Sequence, residues 1–251
     1  MVKLPNEQTT RSLSDDPRPG ILMIAGFGDN SSMYDALHGT ELAKAYCLVP
    51  FDMPGFGAPA LRGRTSLHAL SECVLIEARR NRAHIIMAHS VASVVAAKAA
   101  AASNGDISCI LSLEGNLTAD DAYFSGTAAD YDGPEKFRSA FLSRLELMAK
   151  EDAILARYRR EVESADPVAL WELGCDARRY SEACVPGEEL QSAALVHYFY
   201  NPVNCPQTSI SWLENNGMPR SILADASHWA PIDQPDPLAR QVTNSLERLL
   251  H

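Results

Sequence analysis

The feature that most limits what this chain can fold into is an alternation. Four short, largely apolar runs occupy residues 21–25, 46–52, 84–88 and 107–113, and stretches with helical spacing lie between them. Strands alternating with helices make βαβ units and a parallel sheet. Near-continuous apolar runs, with no polar alternation, fit such a sheet, because helices cover both of its faces. Pro50, inside the second run, suits a strand end or edge. Helices are predicted over 32–45, over 66–82 with Leu67, Leu70, Cys73, Val74 and Ile76 near one face, and over 91–102. The last is apolar almost all round, which predicts a buried helix.

The alternation breaks after residue 116. From about 117 to 194 the spacing is helical throughout, with no convincing strand. Pro134 opens a helix with Phe137, Phe141, Leu145 and Met148 on one face, and Ile154, Leu155, Tyr158 and Val162 mark a second. Asp166 followed by Pro167 reads as an N-cap with proline at the first helical position. Strand patterning resumes at 195–200 and 220–224, and a final helix is predicted over 237–250. The expected organisation is one α/β core, 1–116 and 195–251, with a helical insertion over 117–194. The insertion carries −7 of the net charge of −10, so the acidity belongs mainly to it, as a solvated outer face.

That acidity excludes nucleic-acid binding through a broadly basic surface. No apolar run approaches the length of a membrane span. The first twenty residues lack the apolar centre of a signal peptide, so a cytoplasmic protein is expected. The six cysteines, Cys47, Cys73, Cys109, Cys175, Cys184 and Cys205, show no C-x-x-C spacing and read as reduced thiols rather than zinc ligands.

The chemistry centres on Ser90. Ala88-His89-Ser90-Val91-Ala92 joins a buried strand directly to a buried helix. A sharp turn there needs small neighbours two residues either side, and alanines stand where G-x-S-x-G has glycines. Such a turn lifts the serine Oγ above the sheet, facing a helix N-terminus. An oxyanion needs backbone N–H donors, and Val91 and Phe27 are placed to supply them, Phe27 on the Gly-rich turn after the first strand. His228 follows the last strand, where a histidine can reach the serine as general base. His89 is expected to point away from the serine and serve packing.

The segments Ile24-Ala25-Gly26-Phe27-Gly28 and Phe51-Asp52-Met53-Pro54-Gly55-Phe56-Gly57, the Ser90 turn and His228 with Gln234-Pro235 together resemble the α/β-hydrolase fold, over roughly 20–116 and 195–251. The resemblance implies a mostly parallel sheet of six or seven strands flanked by helices, with a shortened N-terminus (one short strand at most, over 2–4). It makes 117–194 a helical cap, and Asp52 scaffold rather than catalyst. It also implies a triad acid. Many relatives place an Asp after the strand that follows the cap, yet here that strand leads into Asn201-Pro202-Val203-Asn204. Glu114, after the strand preceding the cap, is the choice, with Asp121 the alternative; Asp225 reads as a turn cap. Serine at the elbow argues against haloalkane dehalogenase or epoxide hydrolase chemistry, in which a carboxylate attacks.

The segment 117–200 holds 11 of the 18 aromatic residues. Most will pack the cap, while Tyr123, Phe124 and Trp229, with Phe27 in reach, are pocket candidates. The expected activity is that of a carboxylesterase or lactonase acting on an apolar or aromatic small molecule. The alternatives are C–C bond hydrolysis, lyase or cofactor-free oxygenase chemistry on the same fold, or a small-molecule receptor with little turnover. No metal or organic cofactor is implied. The expected partner is a small-molecule substrate, without nucleic acid or membrane, on a monomer or homodimer.

Overall fold

The computed structural model describes residues 16–249. The four apolar runs of the first half become β1 (Gly20–Ile24), β2 (Cys47–Phe51), β3 (Ile85–His89) and β4 (Cys109–Leu113). Between them stand α1 (Leu42–Ala45), α2 (Leu67–Arg80) and α3 (Ala92–Ala101). After β4 come two 3₁₀ turns, Ala119–Ala122 and Ser125–Asp130, then α4 (Pro134–Met148), α5 (Ala153–Ser164), α6 (Pro167–Ala183) and α7 (Pro186–Ala193). The chain closes with β5 (Leu195–Tyr200), α8 (Gln207–Asn216), β6 (Arg220–Ile222), α9 (Ala230–Asp233) and α10 (Pro235–Leu249).

The six strands form one sheet in the order β2-β1-β3-β4-β5-β6, with every pairing parallel. β1, β3 and β4 are buried along their whole length, as strands covered on both faces must be. Pro50 lies in edge strand β2, where a missing N–H disturbs no second partner. From β1 the chain steps to one side to make β2 and to the other to make β3. The loops leaving β1 and β3 therefore part, and an open α/β sheet forms its crevice at such a switch point. β4 and β5 are hydrogen-bonded neighbours, so the long helical segment between them leaves the sheet and returns beside its point of departure.

That segment is docked by both apolar and polar contacts. Phe137, Phe141 and Leu145 are buried along α4, and the rings of Phe137 and Phe141 lie 6.1 and 5.9 Å from that of Phe27 beyond β1. Burying each phenyl ring stabilises by about 1.5–3 kcal/mol. Asp166 caps α6 as its sequence foretells, accepting from Val168 and Ala169 N–H at 3.0 and 2.8 Å, with Pro167 next.

Several expectations need correction. Residues 32–45 are not one helix but a 3₁₀ helix, Ser31–Gly39, followed by α1. Thr40 is extended, and both its N–H, at 3.1 Å, and its Oγ1, at 2.7 Å, donate to the Leu37 carbonyl, closing the 3₁₀ helix before α1 begins. Ile76 is 40% exposed, because it stands about 200° around α2 from Val74. Met148 is exposed in the last turn of α4. β6 stops at Ile222, and α10 begins two residues before the predicted start. α8 was not foreseen: only Ser209 and Leu213 are buried, with Trp212 half-buried beside them, too thin an apolar stripe to read. The expected strand over 2–4 lies outside the described residues. All six cysteines are free thiols, and burial pushes Cys109 up to about 12. No described helix is long and apolar enough to cross a membrane.

Candidate active site

Ser90 stands between the end of β3 and the start of α3 with φ +53°, a left-handed conformation that costs a non-glycine residue about 1–2 kcal/mol. The surrounding packing enforces it. Ala88 and Ala92 are fully buried on either side, and Ser90 N–H donates to the Leu113 carbonyl of the neighbouring strand at 2.9 Å. Gly26, beyond β1, has to be glycine, since a Cβ there would fall 3.0 Å from Ser90 Cβ and 2.9 Å from His89 Nδ1.

His228 lies in the loop between β6 and α9, and its Nδ1 donates to Glu114 Oε2 at 2.7 Å. That bond leaves Nε2 as the ring nitrogen with a free lone pair. Glu114 follows β4 directly, with φ +44° and its N–H on the Phe199 carbonyl at 2.9 Å. Its second oxygen, Oε1, accepts from Asn201 N–H at 2.9 Å and Asn204 Nδ2 at 2.8 Å. The loop after β5 thus carries no acid and instead grips the acid offered by β4. Ser90 and His228 line the same two cavities, and no hydrogen bond joins them among the described residues. Catalytic hydrogen bonds are often long in unliganded enzymes.

Asp121, the alternative acid, is engaged elsewhere. Its Oδ2 accepts from Leu117 N–H at 2.8 Å, Thr118 N–H at 2.9 Å and Ser209 Oγ at 2.7 Å, with no bond to His228. Burial raises its pKa while those donors oppose the rise. Asp225 shapes its turn through its own backbone, at φ +65°, rather than by capping with its side chain.

The amides of Phe27 and Val91 find no acceptor among the described residues, although both residues are buried. Two unpaired N–H groups beside a serine are what an oxyanion hole requires. Phe27, Tyr123, Phe124 and Trp229 all line a cavity of about 20 Å³ that Ser90 and His228 also face. A second, of about 10 Å³, opens on the side of Asn204 and Pro206. The larger one is less apolar than expected, for Asp29 and Asp121 share its wall.

Six residues beyond the sequence reading shape the site. His89 does more than pack: its Nε2 donates to the His228 carbonyl at 2.9 Å, and the two rings lie 4.5 Å apart. Burial holds its pKa well below the ordinary histidine range, so the ring stays neutral. Asp29 accepts from Arg157 at 2.7 Å on both oxygens and from Trp229 Nε1 at 3.0 Å. Its burial raises its pKa, and Arg157 opposes that. Tyr158 Oη donates to the Phe27 carbonyl at 2.6 Å. Asn201 and Asn204 complete the set. Only these asparagines left a sequence signal, as donors in a loop lacking its acid. Among the described residues, no group of three or more His, Cys, Asp or Glu is placed to hold a metal ion.

The model of the alpha/beta hydrolase family matches residues 21–241. No curated protein matches the chain in sequence. Among solved structures, a thermophilic esterase from Thermogutta terrifontis is similar with a TM-score of 0.72 and 14% identity, over 92% of this chain and 90% of that one. The enol-lactonase from Burkholderia xenovorans is similar with a TM-score of 0.70 and 18% identity, over 93% of each. A candidate epoxide hydrolase from Pseudomonas aeruginosa is similar at 0.68 and 20%, over 92% of this chain and 89% of that one. At these identities the likeness is one of fold, while the family match spans most of the sequence. The chain belongs to the alpha/beta hydrolase family.

Proposed function

We propose that this protein is a serine hydrolase that cleaves a carboxylic ester or lactone of a small molecule through an acyl-enzyme, with residues 117–194 as a cap over the site. The observation that carries the reading is a strained serine, Ser90 at φ +53°, sharing a cavity with a histidine whose Nδ1 lies 2.7 Å from Glu114. Ser90 Oγ attacks the carbonyl carbon as His228 Nε2 takes its proton. Glu114 holds the ring in its tautomer and stabilises the imidazolium. The carbonyl oxygen, now anionic, accepts from Phe27 and Val91 N–H. Collapse expels the alcohol, which takes the proton from His228. Water, activated by the same nitrogen, then attacks the acyl carbon and releases the acid and Ser90. In a lactone the departing hydroxyl belongs to the same molecule as the acid.

Serine at the elbow separates this chemistry from epoxide opening by a carboxylate nucleophile. Roughly 10–15 Å³ holds one water, so the cavity of about 20 Å³ suits the reacting carbonyl and little else. Larger substrate groups need the cap to move. A fluorophosphonate probe is expected to label wild-type protein at Ser90 and to leave Ser90→Ala unlabelled. Folded wild-type protein that resists the probe would overturn the reading.

A further inference from the structure

The Phe27 amide belongs to the peptide linking Gly26 to Phe27, and a trans peptide points its N–H opposite its C=O. The Gly26 carbonyl accepts from Asp29 N–H at 3.2 Å, so the position of Asp29 sets the aim of the Phe27 amide. The next carbonyl along, that of Phe27, accepts from Tyr158 Oη. Asp29 in turn is held through its carboxylate by Arg157, which also donates to Ser32 Oγ at 2.8 Å. Arg157 and Tyr158 are neighbours on α5, and Glu161, one turn on, accepts from Asn30 Nδ2. One helix of the 117–194 segment therefore holds Phe27 on both sides: through Asp29 it steadies the Gly26 carbonyl, which shares the peptide of the amide, and through Tyr158 it pins the Phe27 carbonyl, which belongs to the next peptide and so limits rotation about the residue between. Gly28 lets that helix come close: its φ is +71°, and a Cβ there would fall 2.8 Å from Val162 Cγ2 on α5. The same carboxylate reaches the histidine loop, through Trp229 Nε1.

We propose that Tyr158 and Arg157 are positioning residues that build the Phe27 half of the oxyanion hole from the cap, so that the hole is complete only while α5 lies on the loop 26–30. This rests on the hydrolase reading above. Arg157 lies outside the cavity that Ser90 faces, and Tyr158, on its wall, spends its hydroxyl proton on the Phe27 carbonyl. Tyr158 keeps its proton, because burial pushes its pKa well above the ordinary phenol value, and so donates to the carbonyl across the physiological range. Sealing the site and aiming the amide become one event. A substrate admitted by an open cap meets Ser90 without one of its two oxyanion donors.

The test uses Tyr158→Phe, which removes one hydroxyl, and Asp29→Asn with Arg157→Gln, which removes both charges together and orphans neither. Arg160→Ala, on the exposed side of α5, is the control. Hydrolysis of 4-nitrophenyl acetate is measured per site titrated with a fluorophosphonate, beside hydrogen exchange of the amides of residues 26–30. Expected for Tyr158→Phe are a kcat lower by about tenfold or more, a KM within about twofold, and faster exchange confined to that loop. The double variant should fall further, and the control should match wild type. An unchanged kcat overturns the proposal, as does a fall in kcat without faster exchange. Should wild-type protein neither hydrolyse the ester nor label, the hydrolase reading fails, and exchange alone still decides the attachment: faster in Tyr158→Phe supports it, unchanged overturns it.

Discussion

Two loops leave adjacent strands of the sheet and meet at the site, yet they are held in opposite ways. The Ser90 turn is enclosed by the sheet and α3: its N–H is on the Leu113 carbonyl, and alanines pack on either side. The loop of residues 26–30 is held largely from above, by Arg157, Tyr158 and Glu161 of α5. The proposed nucleophile is thus held by the α/β core, whereas the loop carrying the proposed donor opposite it is held by the insertion. Strain explains the division. A left-handed serine needs an unyielding frame. A glycine-containing loop carries no such strain and can take its shape from whatever docks on it.

The contrast can be broken first on the core side. Glu114→Gln keeps an oxygen for the Asn201 and Asn204 donors but withdraws the carboxylate from His228. Turnover of 4-nitrophenyl acetate is expected to fall by about ten-thousandfold, the scale of losing the acid from a triad. Amide exchange in 26–30 should stay as in wild type; a variant retaining more than a tenth of the rate would show that Glu114 is not the acid. A smaller effect is expected on the cap side. Gly28→Ala places a Cβ at φ +71° against Val162, so stability should drop by about 1–2 kcal/mol, or roughly 2–8 °C in thermal midpoint. kcat should fall with it while the probe still marks Ser90. Unaltered melting and turnover would mean that α5 yields easily.

The smallest effect concerns His89, which ties the Ser90 strand to the His228 loop. Burial keeps its folded-state pKa below the ordinary 6.5. Below that pH the unfolded chain takes up a proton that the folded ring refuses, so stability is lost as the pH falls; above it the contribution is constant. His89→Gln keeps a donor for the His228 carbonyl and removes the titration. Melting midpoints between pH 8 and pH 5 should decline less steeply in the variant, and parallel declines would count against a neutral buried ring.

Much of this was legible in the chain because it is local. A strand meeting a helix at a serine with alanines two residues either side announces the turn, and Glu114 stood out once Asn201 and Asn204 occupied the loop where an acid was sought. What escaped is long-range. Arg157 and Asp29 are 128 residues apart, and nothing near either predicts the other. His89 was read as packing because alternation along a strand tells which side a residue faces, not that the loop of His228 will return there with an unmet carbonyl. α8 shows the same limit, since a helix with only two buried residues, one of them a serine, has almost no pattern.

The place of Glu114 in the chain also bears on how such a protein could be remodelled. Ser90 and Glu114 both precede Leu117 and His228 follows β5, so a chimaera that exchanges residues 117–194 for another helical insertion would inherit all three proposed triad residues intact. It would lose the hydroxyl at 158 and the guanidinium at 157. If the insertion aims the Phe27 amide as proposed, such a graft would reset the reaction rate as well as what enters, and a successful one has to bring its own means of steadying the turn after β1.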